Sequence, residues 1–264
     1  MTAMTQPTVR DLLASRDVKI GFWVNEFMTP GVGHILKSAG CDLVTFDMEH
    51  SGLGFETVRA ALRYAEAAGL ATVVRPPSKQ YHDIARALDI GAKSLMFQMV
   101  DTAEEARQIV ACMKYRPRGV RGVTTEHFYD RFTGGDLGPK LAAEDDATTL
   151  IALVETRQGV ANADAIAAVE GVDCLYLGHV DLSVDLGIPG RYDDPRLLEA
   201  THALAAACHK HGKHFVWDVG STGELEDMVR RGAEIIMCGA DTGTLRDAIA
   251  AVTADVRRRC AVRA

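Results

Sequence analysis

Eight short apolar runs separated by amphipathic runs predict an α/β chain folded as a (β/α)8 TIM barrel. Three observations carry this expectation. Five of the runs follow a glycine that closes an amphipathic segment: Gly40, Gly69, Gly91, Gly171 and Gly232. A glycine in that place supplies the left-handed conformation that stops a helix, so the repeated unit is helix, glycine, strand. The runs are also nearly continuous in apolar residues, as expected of parallel strands buried on both faces. Finally, the first strand is followed by Asn25-Glu26-Phe27-Met28-Thr29-Pro30, not by the glycine-rich phosphate loop of an open doubly wound sheet.

In chain order, the first strand spans Lys19 to Val24 and the second Cys41 to Phe46. The third spans Leu70 to Arg75 and the fourth Ala92 to Phe97. The fifth runs from Leu150 to Glu155, and the sixth from Val172 through Gly178 to Val180. The seventh spans Lys213 to Trp217 and the eighth Ala233 to Cys238. Between them, apolar residues at 55, 58, 61, 62 and 65 mark one helix face. Similar stripes run through 84–90, 106–113 and 197–208. The stretch from Thr124 to Thr149 reads as a long polar loop with an acidic patch at Glu144-Asp145-Asp146, a candidate lid or subunit contact.

The chain of 264 residues reads as one barrel domain, 1–264. Residues 1–17 form a short N-terminal extension. Residues 245–264 form a C-terminal helix. A net charge of -7 without a basic stripe argues against a nucleic-acid surface. No apolar run reaches the ~18 residues of a membrane span. The first residues show no signal peptide, so a cytoplasmic location is expected. The six cysteines are scattered with no C-x-x-C pair, which argues against metal fingers and redox motifs. Cys174 and Cys238 fall in strands and read as small core hydrophobes.

Ionisable groups gather at the strand ends. Asp47, Glu49 and His50 end the second strand, Arg75 the third and Glu155 the fifth. Asp181 ends the sixth, Asp218 the seventh and Asp241 the eighth. In a barrel these ends form one mouth, where chemistry collects. Carboxylates suit a hard divalent cation, and a cation beside an arginine stabilises an enolate or another oxyanion. Schiff-base chemistry needs a lysine, and Lys79 is the sole candidate near a strand end. His202, His209, His211 and His214 read as a solvated helix face.

Several motifs occur in order: Gly21-Phe22-Trp23, Asp47-x-Glu49-His50, Val74-Arg75-Pro76, Leu88-Asp89-x-Gly91-Ala92, Arg118-Gly119-x-Arg121-Gly122, Glu155-Thr156 and Gly178-x-x-Asp181-Leu182-Ser183. Together they resemble the HpcH/HpaI family of class II pyruvate aldolases. That resemblance implies cleavage or formation of the C3–C4 bond of a 4-hydroxy-2-oxo acid, giving pyruvate or a related 2-oxo acid and an aldehyde. It implies Glu155 and Asp181 as ligands of Mg²⁺, Mn²⁺ or Co²⁺, and Arg75 over the 2-oxo oxygen. It implies His50 as general base, held by Asp89, with Asp47 supporting the water network. Gly178, His179, Val180 and Asp181 would meet the substrate carboxylate, and Trp23 would wall the aldehyde side. It also implies a homo-oligomer, a hexamer in which the C-terminal helix packs on a neighbour. The chain departs from the family pattern at Met48, Leu153 and His179. If His179 continues the sixth strand, it points the same way as Asp181. The alternatives are a carbon–carbon lyase acting on another 2-oxo acid or an acyl-CoA ester, and a barrel that binds a metal–oxo-acid complex without turnover.

Overall fold

Among the residues described by the computed structural model, 7–125 and 127–261, eight parallel strands close in sequence order into a barrel. They are β1 (Lys19–Val24), β2 (Leu43–Asp47), β3 (Ala71–Arg75), β4 (Ser94–Phe97), β5 (Thr149–Val154), β6 (Cys174–Leu177), β7 (His214–Asp218) and β8 (Ala233–Ala240). The first helix, α1 (Val9–Leu13), precedes β1. Then come α2 (Val32–Ser38), α3 (Phe55–Ala67), α4 (Tyr81–Asp89), α5 (Ala103–Met113) and α6 (Leu137–Ala147). Between β5 and β6 lie α7 (Arg157–Ala161) and α8 (Ala163–Ala167). The last four are α9 (His179–Asp185), α10 (Pro195–His211), α11 (Leu225–Arg230) and α12 (Asp241–Ala261). The helix-stopping role of the five glycines is seen directly; Gly40, for example, has φ +93°.

Strand alternation sorts the side chains into two cores. Val44, Phe46, Val74, Leu95, Leu150 and Leu175 face the helices. Leu43, Ala71, Val73, Met96, Ile151, Leu153, Tyr176, Val216, Ile235 and Met237 fill the barrel. The same period of two turns the next inward position of each strand toward the mouth. Above Leu43 on β2 stands Asp47, above Val73 stands Arg75, and above Leu153 stands Glu155. The opposite end is closed by α1, whose Val9 and Leu13 join the barrel core. Arg10 ties this helix down through the Thr148 carbonyl and Asp173, both at 2.8 Å. Helix α1 is thus a plug.

Three expectations need correction. The sixth strand stops at Leu177, and His179 begins a helix. His179 and Asp181 therefore sit in one helical turn, not on one face of a strand. The predicted loop 124–149 contains α6, and two of its acidic residues are buried. Glu144 pairs with Lys93, and Asp145 accepts the Tyr115 N–H at 2.9 Å. That acidic patch is an anchor on the barrel wall, not a solvated lid. Cys238 lies in β8 but is exposed. The eighth strand end, Asp241, starts α12 and accepts the N–H groups of Asn25, Glu26 and Phe27 at 3.1, 3.0 and 2.8 Å, so it shapes the loop after β1.

Of the C-terminal segment 245–264, residues up to 261 lie in α12, and 262–264 fall outside the described residues, as do 1–6 and 126. No residue of α12 is buried. No helix among the described residues is long and apolar enough to cross a membrane.

Candidate active site

The mouth holds a cavity of about 290 Å³. Trp23, His50, Arg75, Glu155, Gly178, His179, Val180 and Asp181 all line it. Residues from β1, β3, the turns after β2 and β5, and the β6–α9 junction thus converge on one space, although up to 158 positions separate them in the chain (181 minus 23).

Arg75 is the fixed point. Its Nε and Nη2 donate to the two oxygens of Asp47 at 2.8 and 2.7 Å, a bidentate pair between neighbouring strands. Its Nη1 lies 3.0 Å from Glu49 Oε2. The Trp23 ring lies under the guanidinium, 4.8 Å away. Burial works against the charge on Arg75, but the Asp47 hydrogen bond and the charges of Asp47, Glu49 and Glu155 outweigh it and raise the pKa. Asp47 is 1% exposed and also accepts the Glu49 N–H at 2.9 Å. It stands behind Arg75, not on the cavity wall.

Glu155 is buried at the top of β5. Its Oε1 accepts the Met99 N–H at 2.7 Å, while Oε2 has no protein donor among the described residues. Burial pushes the carboxyl up to about 7; the Met99 N–H pulls down, and the charges of Asp181 and Glu49 push up. Gly178 faces it closely. A Cβ at 178 would lie 2.6 Å from Glu155 Cβ and overlap Oε2, so a bare backbone is what lets the carboxylate stand there.

His50 sits in the exposed turn after β2, with Nε2 3.6 Å from Glu49 Oε2. Glu49 thus touches both Arg75 and His50. Burial raises its pKa, against the pull of Arg75 and His50. By sequence, Glu49 has no role beyond ending the second strand; β2 stops at Asp47, so strand alternation does not place this side chain. Asp89 is placed elsewhere. At the end of α4 it accepts from Arg121 Nη2 at 2.7 Å, and no hydrogen bond or ion pair joins it to His50 within the described chain. Lys79 does not reach the cavity: its Nζ donates to Met99 O at 2.8 Å and pairs with Glu105.

Across the mouth stands a second polar wall. Tyr176 Oη donates to Asp218 Oδ2 at 3.2 Å, and its ring stacks on Trp23 at 6.4 Å between centroids. His179 packs edge-on against Tyr192 at 4.9 Å. Burial lowers the pKa of His179, and Asp218 opposes this.

The residues fit a divalent cation as a two-carboxylate site. Among the described residues no group of three or more His, Cys, Asp or Glu side chains is arranged to hold a metal. Glu155 and Asp181 line the same cavity, and Glu155 Oε2 has no protein donor among the described residues. Such a carboxylate gains from a cation, with water and substrate oxygens filling the remaining positions. The histidines of α10 and β7 do not compete. His211 pairs with Asp164, His214 with Glu234 and His202 with Asp227.

Comparison with known proteins decides the family. The model of the HpcH/HpaI aldolase/citrate lyase family matches residues 19–248. The chain belongs to this family. It is 35% identical over 240 residues to a 5-keto-4-deoxy-D-glucarate aldolase of Shigella boydii serotype 18 (strain CDC 3083-94 / BS512), covering 89% of this chain and 91% of that one. A crystal structure of an HpcH/HpaI aldolase from Desulfitobacterium hafniense DCB-2 superposes with a TM-score of 0.88 at 28% identity, covering 95% and 96% of the two chains. The citrate synthase SbnG gives 0.85 at 27% identity, covering 96% and 98%. The protein is thus a carbon–carbon lyase of the HpcH/HpaI family.

Two of its three departures from the family pattern, Leu153 and His179, line the cavity. The third, Met48, is turned into the core behind the barrel wall. The change at 48 is one of packing, whereas those at 153 and 179 alter the surface that meets a ligand.

Proposed function

We propose that this HpcH/HpaI enzyme is a divalent-metal-dependent pyruvate aldolase, cleaving or forming the C3–C4 bond of a 4-hydroxy-2-oxo acid. The observation that supports it best is the grouping of Arg75, His50, Glu155 and Asp181 around one cavity. A divalent cation held by Glu155 and Asp181 would act as a Lewis acid on the 2-oxo acid.

The chain's own residues perform the rest. Arg75, held rigid by Asp47 and Glu49, presents its remaining N–H groups to the 2-oxo oxygen. A guanidinium fixed in advance stabilises charge as it develops, without reorganising. His50 takes the proton of the C4 hydroxyl. The C3–C4 bond breaks, its electron pair passes to the C2 oxygen as an enolate, and the aldehyde departs. His50 then returns the proton to C3. Glu49, within reach of both side chains, holds the imidazole toward the mouth. The Gly178 N–H is held by the Val154 carbonyl at 2.9 Å, but the next N–H groups, of His179, Val180 and Asp181, begin α9, lack intrahelical acceptors and would meet the substrate carboxylate. Trp23 walls the aldehyde side.

The pairing of Asp89 with His50 that the family resemblance implies is not made inside one chain, so we assign it to contact between copies. We propose a homohexamer in the cytoplasm. Leu245, Ile249, Val252 and Val256 form one exposed apolar stripe on α12, which suits a second copy as partner. The similarity to a citrate synthase favours one second reading, a carbon–carbon lyase acting on another oxo acid or an acyl-CoA ester.

Exchange of the C3 protons of pyruvate in D2O, followed by proton NMR, tests the proposal. With Mn²⁺ the exchange should proceed, and with EDTA it should stop. Glu155→Ala should lose it at ordinary Mn²⁺ concentrations. Full exchange in EDTA, with borohydride trapping at Lys79, would sink the metal-dependent reading.

A further inference from the structure

The cavity has two sides. Arg75, Glu155 and Asp181 hold the 2-oxo acid half on the reading above, on which the present inference rests. The other side is formed by Trp23 and Asn25 around β1, Tyr176 on β6 and Asp218 at the end of β7. No established role covers Asn25, Tyr176 or Asp218. Their chemistry is one-sided. Asp218 offers only acceptors: Oδ1 takes the Gly220 N–H at 2.6 Å and Oδ2 takes the Tyr176 hydroxyl, which leaves one lone pair on each oxygen. A carboxylate that lines a cavity with open lone pairs calls for a ligand that donates.

Charge points the same way. Among the described residues lining the cavity, Arg75 is the sole Arg or Lys, and it is engaged by Asp47 and Glu49. A carboxylate on the aldehyde half would meet Asp218 with no Arg or Lys to answer it. An alkyl group would leave the open lone pairs of Asp218 without a donor. An uncharged hydroxyl group avoids both.

We propose that Asp218 reads the aldehyde half and selects an uncharged hydroxyaldehyde over an acidic or purely alkyl one. Asp218 is a specificity residue on this assignment. Tyr176 positions it by donating to Oδ2, and the stack on Trp23 fixes the tyrosine ring.

Three aldehydes of similar size separate the possibilities. Glycolaldehyde carries a hydroxyl, propionaldehyde a methyl in its place, and glyoxylate a carboxylate. Aldol addition of pyruvate to each is measured with the Mn²⁺-loaded enzyme as kcat/KM. Glycolaldehyde should exceed propionaldehyde by about tenfold or more, since a site built for a hydroxyl discriminates against the analogue lacking it. It should exceed glyoxylate by at least as much. Asp218→Asn keeps the shape and removes the charge, so the glyoxylate to glycolaldehyde ratio should rise about tenfold. Equal or better use of glyoxylate by the unaltered enzyme overturns the inference, and so do ratios that move by less than about twofold in Asp218→Asn. The aldehyde panel on the unaltered enzyme stands by itself if the variant fails to fold. Pyruvate exchange in D2O without aldehyde separates the two readings. Exchange with no aldehyde preference overturns this inference alone, whereas absence of exchange overturns the aldolase reading beneath it.

Discussion

Gly178 and Glu155 meet edge to side at the tops of β6 and β5, where the glycine's missing Cβ is the space that the carboxylate occupies. The backbone at 178 has φ -79°, which any residue can adopt, so the requirement for glycine is one of room. Gly178→Ala is expected to fold and to displace Glu155. Mn²⁺ affinity, read by isothermal titration calorimetry, should fall by about tenfold or more, the cost reported for disturbing residues around a metal's ligands. Unchanged affinity would show that Glu155 is not held by this contact.

The Arg75–Asp47 pair predicts a stability effect. Asp47→Ala leaves a buried guanidinium with only Glu49 beside it. Removing one partner of a buried pair costs about 3 kcal/mol or more, which urea denaturation can measure. Arg75→Lys keeps the charge but loses the fork that spans both Asp47 oxygens. It should lower kcat about a hundredfold while leaving KM for pyruvate less affected.

The pH dependence follows from Glu155. Its pKa lies at about 7 in the folded chain against an ordinary 4.5. The folded state therefore binds more protons between these values, and the metal-free protein should lose stability as pH rises from about 4.5 to about 7. A cation needs the ionised carboxylate, so Mn²⁺ affinity should rise with pH over the same window and flatten above it. Calorimetry in two buffers of different ionisation enthalpy should show a proton released on binding at pH 6 and none at pH 8.

His50 is exposed and loosely paired, so its loss should separate function from folding. His50→Ala is expected to slow pyruvate exchange by about 10²- to 10⁴-fold. Its unfolding free energy should change by less than about 0.5 kcal/mol, as for most surface substitutions. A large drop in Tm would show that the imidazole is structural.

The exposed stripe of α12 is tested by Ile249→Asp. A charge in the middle of an apolar contact should shift the protein to smaller species, as measured by light scattering after size exclusion, and leave the helical circular dichroism of each chain in place.

Much of this was legible in the sequence. The glycines at 40, 69, 91, 171 and 232 marked the helix ends, and Arg75 and Glu155, which line the cavity, were marked by their places at strand ends. The end of β6 was not legible, because Gly178-His179-Val180 continues an apolar pattern while the backbone has already turned into a helix. The wall of Tyr176 and Asp218 was missed because it joins side chains 42 positions apart on the neighbouring strands β6 and β7, a pairing that no local sequence pattern marks. The burial of Glu144 and Asp145 was hidden for a similar reason: their partners Lys93 and Tyr115 lie on other segments. Asp89 reads as part of an active-site motif, yet its partner within the chain is Arg121.

The plug formed by Val9 and Leu13 has a practical side. Because every strand runs the same way, the helix that seals the bottom and the mouth that admits substrate are opposite poles of the barrel. A tether joined ahead of Thr8 leaves from the sealed pole. An enzyme immobilised by that end would present its open pole to the surrounding solution.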